Sequence, residues 1–320
     1  MNEFDLIKRY FLDSQTASQV VLGIGDDCAL LDLPPHHHLA VSVDSLVEGV
    51  HFPTAYAAEK IATRAFAVAL SDLAAMGAKP LGFTLSLTLP ASIAIDTWLA
   101  PFSRGLHQAA VQYRCPLIGG DTTRGPLTIG IQVLGAVEQG RALTRSGAEA
   151  GDQIFVTGPL GDGAAALALL MGELTLPTEQ SAYLERRFSQ PQARIAAGRA
   201  LLGVASSAID ISDGLLADLG HLCDASGLGA RLELTGIPFS RGLLSHVSER
   251  QLRQWALSGG DDYQLCFTLA AEQRAALDRL CAKGLLEAHC IGEMVLHSGI
   301  DCRLNGAAYQ PTATGYSHFD

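Results

Sequence analysis

Acidic residues recur in one setting along this 320-residue chain: glycine-bearing turns and short apolar runs. They stand in "GIGDDCALL" (23–31), "VSVDS" (41–45), "LSDLAAMG" (70–77), "LIGGDTT" (117–123), "AIDISDG" (208–214) and "LSGGDDY" (257–263). Singly, each has a plain reading. Asp26 and Asp27 suit a solvated loop, Asp72 a helix surface, and Asp213 the N-cap of a following helix. Jointly they suggest chemistry. Strand period puts Ser42 with Asp44 on one face and Leu39, Val41 and Val43 on the other, core-directed one. The same rule sends Ile209 and Ile211 inward and sets Asp210 with Ser212 opposite them. Asp27, Asp44, Asp121 and Asp210 all fall at the ends of predicted strands, where open α/β sheets hold ligands. Converging carboxylates about 4 Å apart repel by about 4 kcal/mol per pair at an effective dielectric near 20. Such a cluster stays ionised only around divalent cations. Oxygen donors without His or Cys favour Mg²⁺, and Mg²⁺ in an acidic pocket serves phosphate.

The familiar nucleotide motifs are missing. There is no GxxxxGK[ST], and "TGPLGDGAAAL" (157–167) does not fit GxGxxG. Its glycines precede a helix, so that turn is either structural or an anion site. His36, His37 and His38 follow two prolines and read as an exposed hairpin loop, because no acid or Cys completes a metal site there. A net charge of -11 argues against a general nucleic-acid or membrane surface. The seven cysteines never form CxxC and read as reduced residues of a cytoplasmic protein. Arg64 and Asp72 interrupt the longest Ala-rich apolar stretch, so no membrane span is expected.

Alternation and glycine punctuation predict strands near 19–22, 38–44, 82–89, 116–118 and 127–137, with helices over 57–76 and 92–112. A second series has strands near 152–158, 207–211, 230–235, 263–268 and 288–295. Helices fill 164–172, 191–202, 214–225, 248–257 and 270–283 between them. Alternating strands and helices in both halves predict two α/β domains, 1–138 and 151–320, joined by a polar linker over 139–150. Apolar alternating strands in the N-terminal half carry more sheet edge than a small domain covers alone, which points to a homodimer through that half.

Long blocks then carry a resemblance. "GIGDDCALL", "VSVDSLVEGVHF", "LIGGDTTRGPL", "RALTRSGA", "GDQIFVTGPLGD", "AIDISDGLLADLGHL", "SGGDDYQLCF" and "GYSHF" occur in order over essentially the whole chain. They are similar to the thiamine-monophosphate kinase family, in a superfamily with aminoimidazole ribonucleotide synthetase and selenophosphate synthetase. The resemblance implies two α/β domains, the N-terminal sheets of two subunits closing into a β-barrel. It implies Mg²⁺ at Asp27, Ser42, Asp44, Asp72, Asp121, Asp210 and Asp213. ATP would meet Gly120, Asp121, Arg145 and Ser212, and thiamine monophosphate would meet His51, Asp261 and Tyr316. Asp44, Asp121 and Arg145 would be the catalytic residues. Two positions depart from the family: Val43 stands where Thr is usual, and Asp261 where SGGEDYEL has Glu. Asp is shorter than Glu by one carbon–carbon bond, about 1.5 Å.

The implied reaction transfers the γ-phosphoryl group of ATP in line to the substrate phosphate, yielding thiamine diphosphate. A phosphate monoester has a second pKa near 6, so the acceptor arrives as a dianion and needs no general base. The task is to bring two polyanions together, which Mg²⁺ and Arg145 offset. The alternatives are another ATP-dependent synthetase of the superfamily and a Mg-nucleotide sensor without turnover.

Overall fold

The computed structural model describes residues 3–12, 17–313 and 315. The chain divides into two compact units, Met1–Leu73 with Ala78–Gly140, and Ala74–Gly77 with Arg141–Asp320.

In the first unit, α1 (Glu3–Tyr10) precedes the small antiparallel pair β1 (Val20–Leu22) and β2 (Leu30–Leu31). Then come β3 (His37–Val47), α2 (Ala58–Ala75), β4 (Lys79–Leu89), α3 (Ile95–Tyr113), β5 (Leu117–Arg124) and β6 (Thr128–Glu138). The last four strands form one mixed sheet in the order β3-β6-β4-β5, parallel only between β4 and β5. The helices are dictated by apolar spacing. Ile61, Ala65, Phe66, Ala69, Leu70 and Leu73 of α2, and Leu99, Phe102 and Leu106 of α3, recur every three or four residues and are buried. They cover one sheet face, where Phe83 of β4 meets Phe66 edge-on with ring centroids 4.7 Å apart. No described helix covers the other face in a comparable way, and β3 shows the consequence. Val41 and Val43 are 52% and 63% exposed, and Leu39 is 48% exposed. β3 alternates as expected but in the opposite sense: the valines face the open side, and Ser42 and Asp44 face the helices. The three histidines divide, with His36 in a turn at φ 59 and His37 and His38 opening β3.

The second unit runs β7 (Gln153–Val156), α4 (Asp162–Leu170), α5 (Thr178–Ser189), α6 (Ile195–Leu201), β8 (Ser207–Asp210), α7 (Leu215–Ser226), β9 (Gly229–Glu233), α8 (Arg241–Leu244), α9 (Glu249–Ser258), β10 (Leu265–Leu269), α10 (Arg274–Ala282), β11 (His289–Val295), β12 (Gly299–Leu304) and β13 (Ala307–Ala308). Its seven-stranded sheet has the order β13-β12-β9-β11-β7-β10-β8. Both faces are covered, so its inner strands read as continuous apolar runs. Ile154, Val156, Ile209 and Cys266 join Leu215, Leu219 and Leu222 of α7 on one side. Phe155, Ala208, Phe267 and Leu269 join Leu201 and Leu277 on the other. Leu143 and Ala148, in the stretch expected as a linker, are buried in these same two cores. Helix α5 had no strong sequence signal, because only Leu184 and Phe188 anchor an otherwise polar run. All seven cysteines are free, and Cys28 and Cys290 are exposed. Among the described residues no helix is long and apolar enough to cross a membrane.

Candidate active site

In the first unit the acids come from a turn, two strands and a helix. Asp26 accepts the backbone N–H of Asp27 at 2.8 Å, so Asp26 shapes the turn and Asp27 stands exposed beside it. Ser42 and Asp44 lie opposite Val133 and Ile131 in the β3–β6 register. Those partners are buried, which puts Ser42 and Asp44 on the helix-covered face. There the Ser42 hydroxyl donates to the Asp72 carboxylate of α2. Val43 turns its side chain away from this pair.

Asp121 does not join them within one chain. It pairs with Ser86 in the β4–β5 register, and Ser86 pairs with Gly130, which lies opposite Ser45. Asp121 therefore belongs to the open face. β3 and β5 are also the two sheet edges, three strand spacings or about 14 Å apart. Both acids lie within their strands and not at the ends, because β5 runs on to Arg124. Gly120 beside Asp121 is required by close approach: a Cβ there would stand 2.0 Å from the Leu85 carbonyl oxygen.

His51 is oriented from two sides. Its Nδ1 accepts the Val47 backbone N–H at 3.0 Å, so the neutral ring carries its proton on Nε2 and presents a donor there. Its carbonyl oxygen accepts from Nε of the buried Arg64 at 3.2 Å.

In the second unit Asp210 ends β8, and the loop after it leads into α7. Asp213 is not the cap of that helix; Gly214 holds the N-cap position with no side-chain bond. A carboxylate from within the helix instead holds the loop that leads into it. Asp218 accepts the backbone N–H groups of Ser212 and Asp213, each at 3.0 Å. Burial first, then the charge of Asp210, pushes the Asp218 carboxyl up to about 7, while those two donors pull it down. Asp218 was missed from the sequence, although an acid inside the Leu215–Leu222 apolar stripe is a visible signal. The 259–263 loop packs on the same segment. Asp261 N–H donates to Ser212 O and Tyr263 N–H to Ile211 O, both at 2.8 Å. Gly260 permits this, since a Cβ would lie 2.4 Å from Ser212 O. Gly315 closes on Asp213 and Ala217, and Tyr316 lies outside the described residues.

The two acids of "GGDDY" have separate tasks. Asp262 is 1% exposed and accepts from Gly161 N–H at 2.6 Å and Gly163 N–H at 3.0 Å. The anion-binding N-terminus of α4 is thus filled by the protein's own carboxylate, and the "PLGDG" turn is structural. Burial raises Asp262 to about 7 against those two donors. Arg187 ties the arrangement together, donating to Asp262 O at 3.2 Å with its Nε 3.3 Å from buried Asp162. Asp262 is therefore unavailable for contact with a substrate, and Asp261 is the half-buried member beside Ser212.

Arg145 is exposed on a loop whose carbonyl accepts from Ser226, the last residue of α7. Ser212 and Asp213 precede the first residue of that helix, and twelve residues rise about 17 Å. The backbones of Arg145 and Ser212 are therefore not neighbours. Among the described residues no three His, Cys, Asp or Glu side chains come together as a metal-binding group. Each unit contributes oxygen donors in pairs: Ser42 with Asp72, and Asp210 with the Asp213–Asp218 turn.

Residues 25–137 match the N-terminal domain, and residues 149–304 the C-terminal domain, of the AIR synthase related proteins. The chain thus has both domains of that class, in order. The chain is 48% identical to the thiamine-monophosphate kinase of Escherichia coli strain K12, covering 99% of this chain and 98% of that one. It superposes on the crystal structure of thiamine-monophosphate kinase from Stenotrophomonas maltophilia K279a with a TM-score of 0.87 at 41% identity, over 97% and 98% of the two chains. A further solved structure, AaThiL complexed with AMPPCP and TMP, matches at a TM-score of 0.78 and 31% identity over 99% of this chain and 96% of that one. Within the AIR synthase related class, the chain belongs to the thiamine-monophosphate kinase family.

Proposed function

We propose that this protein transfers the γ-phosphoryl group of ATP to the phosphate of thiamine monophosphate, forming thiamine diphosphate. The observation that carries this reading is end-to-end similarity to kinases of that name, 48% identity over 99% of the chain. The donors in each unit suit Mg²⁺, being oxygen alone: Asp27, Ser42, Asp44, Asp72 and Asp121 in the first, and Asp210 and Asp213 in the second. When bound, Mg²⁺ supplies neutralisation of phosphate charge. The chain's own residues bind and align. Gly120 meets ATP through its backbone, and Ser212 and Arg145 donate to ATP oxygens. His51 presents Nε2–H and Asp261 a carboxylate to thiamine monophosphate, with Tyr316 as a third contact. The acceptor phosphate is already ionised at neutral pH, so no histidine acts as a base.

The working form on this reading is a cytoplasmic homodimer. Leu39, Val41 and Val43 form an apolar row on the uncovered sheet face, and burial of that row against a second copy accounts for it. Setting β3 of one copy beside β5 of the other closes the two sheets into a barrel. It also sets the edge strand that carries Asp44 beside the partner's strand that carries Asp121, with the two side chains on opposite faces of the joined sheet. The test of function is direct. Purified protein with Mg-ATP and thiamine monophosphate should release thiamine diphosphate and ADP in equal amounts, and EDTA should stop both. ADP without thiamine diphosphate, or no turnover at all, overturns the assignment.

A further inference from the structure

Resting on the reading that Asp261 meets thiamine monophosphate, we propose that Tyr263 is the positioning residue that sets the Asp261 carboxylate for that contact. Asp261 and Tyr263 both have positive φ, 70° and 50°. An aspartate tolerates that region, but a bulky tyrosine seldom occupies it, so the loop holds this side chain in place against local preference. Tyr263 is 6% exposed, and its hydroxyl donates to Asp261 Oδ1 at 2.8 Å. The backbone on either side cannot drift. Asp261 and Tyr263 donate to Ser212 and Ile211, and Asp262 between them is anchored inward on Gly161 and Gly163.

The consequence is a short carboxylate with one oxygen engaged by a fixed phenol. Rotation about its side-chain bonds is restricted, and the carboxylate is held in one orientation for the thiamine contact. The departure from the family matters here. Aspartate has one rotatable bond fewer than glutamate, so a single hydrogen bond from Tyr263 is enough to fix its carboxylate. Tyr263 thus acts through Asp261 and has no separate contact with the substrate to supply.

The experiment is a double-mutant cycle in the full-length enzyme, with KM for thiamine monophosphate, KM for ATP and kcat measured for each variant. Tyr263→Phe removes one oxygen and keeps the ring, and circular dichroism with the thermal midpoint checks its folding. It should raise KM for thiamine monophosphate about three- to tenfold, as expected for one lost hydrogen bond, and leave KM for ATP and kcat within about twofold. In an Asp261→Ala background the same change should have almost no effect on KM. Asp261→Ala with raised KM beside a Tyr263→Phe of unchanged KM overturns the inference while the Asp261 contact stands. Equal increments in both backgrounds overturn it too, since Tyr263 would then act independently. An Asp261→Ala variant with unchanged KM removes the substrate contact itself, and the inference with it.

Discussion

Asp44 and Asp121 provide a decisive perturbation, because one chain keeps them apart. They occupy opposite edges of a four-stranded sheet and opposite faces of it. Three strand spacings make the separation about 14 Å. A Mg²⁺ ion with bonds of about 2.1 Å spans at most about 4 Å between two ligand oxygens. No single ion, and no single γ-phosphate bound to it, is therefore served by both acids of the same copy. If both are needed at one catalytic centre, Asp121 comes from the partner copy, whose β5 edge the proposed barrel sets beside β3. The two carboxylates, on opposite faces of the joined sheet, then serve different ions of that centre. Asp44→Asn and Asp121→Asn should each reduce the rate by orders of magnitude as pure homodimers. In a mixed dimer of the two variants, one centre receives both substitutions and the other receives neither. Heterodimers isolated by two different affinity tags should recover about half of wild-type activity, and an unfractionated equal mixture about a quarter. The assay is thiamine diphosphate formation after co-expression of the tagged variants. Heterodimers as inactive as either parent would refute the reasoning, since a centre built within one chain stays damaged in every combination.

Three further outcomes are expected. Asp262→Asn puts an amide N–H against Gly161 or Gly163 and removes a buried acceptor, so stability to denaturant should fall by about 2 to 4 kcal/mol; an unchanged midpoint would contradict the capping role. Val43→Asp sets a charge on the apolar row of the open face, and light scattering at micromolar concentration should show wild-type dimers converted largely to monomers; a variant still dimeric would place the interface elsewhere. Asp261→Glu restores the family residue and lengthens its reach by about 1.5 Å. It should change KM for thiamine monophosphate and leave KM for ATP alone, and equal changes in both would disconnect the position from thiamine.

Local chemistry was legible in the residues themselves. Periodicity placed most of the strands and helices of both sheets, because apolar spacing is a direct record of which side of an element is buried. The pairing of Ser42 with Asp44 on one face of β3 followed from the same rule. What periodicity does not encode is which face is inside. On β3 the apolar side faces outward, because its cover is not supplied by this unit, while the polar side turns to Asp72 on α2. Nor does local sequence separate the neighbours Asp261 and Asp262. Only the meeting of the 259–263 loop with the start of α4, about 100 residues away in sequence, commits one carboxylate to backbone donors and leaves its neighbour beside Ser212. The separation of Asp44 from Asp121 is likewise a matter of strand order. Six intact motifs can be read along a chain, but the distance between two of them depends on which strands pair, and that is decided by long-range packing.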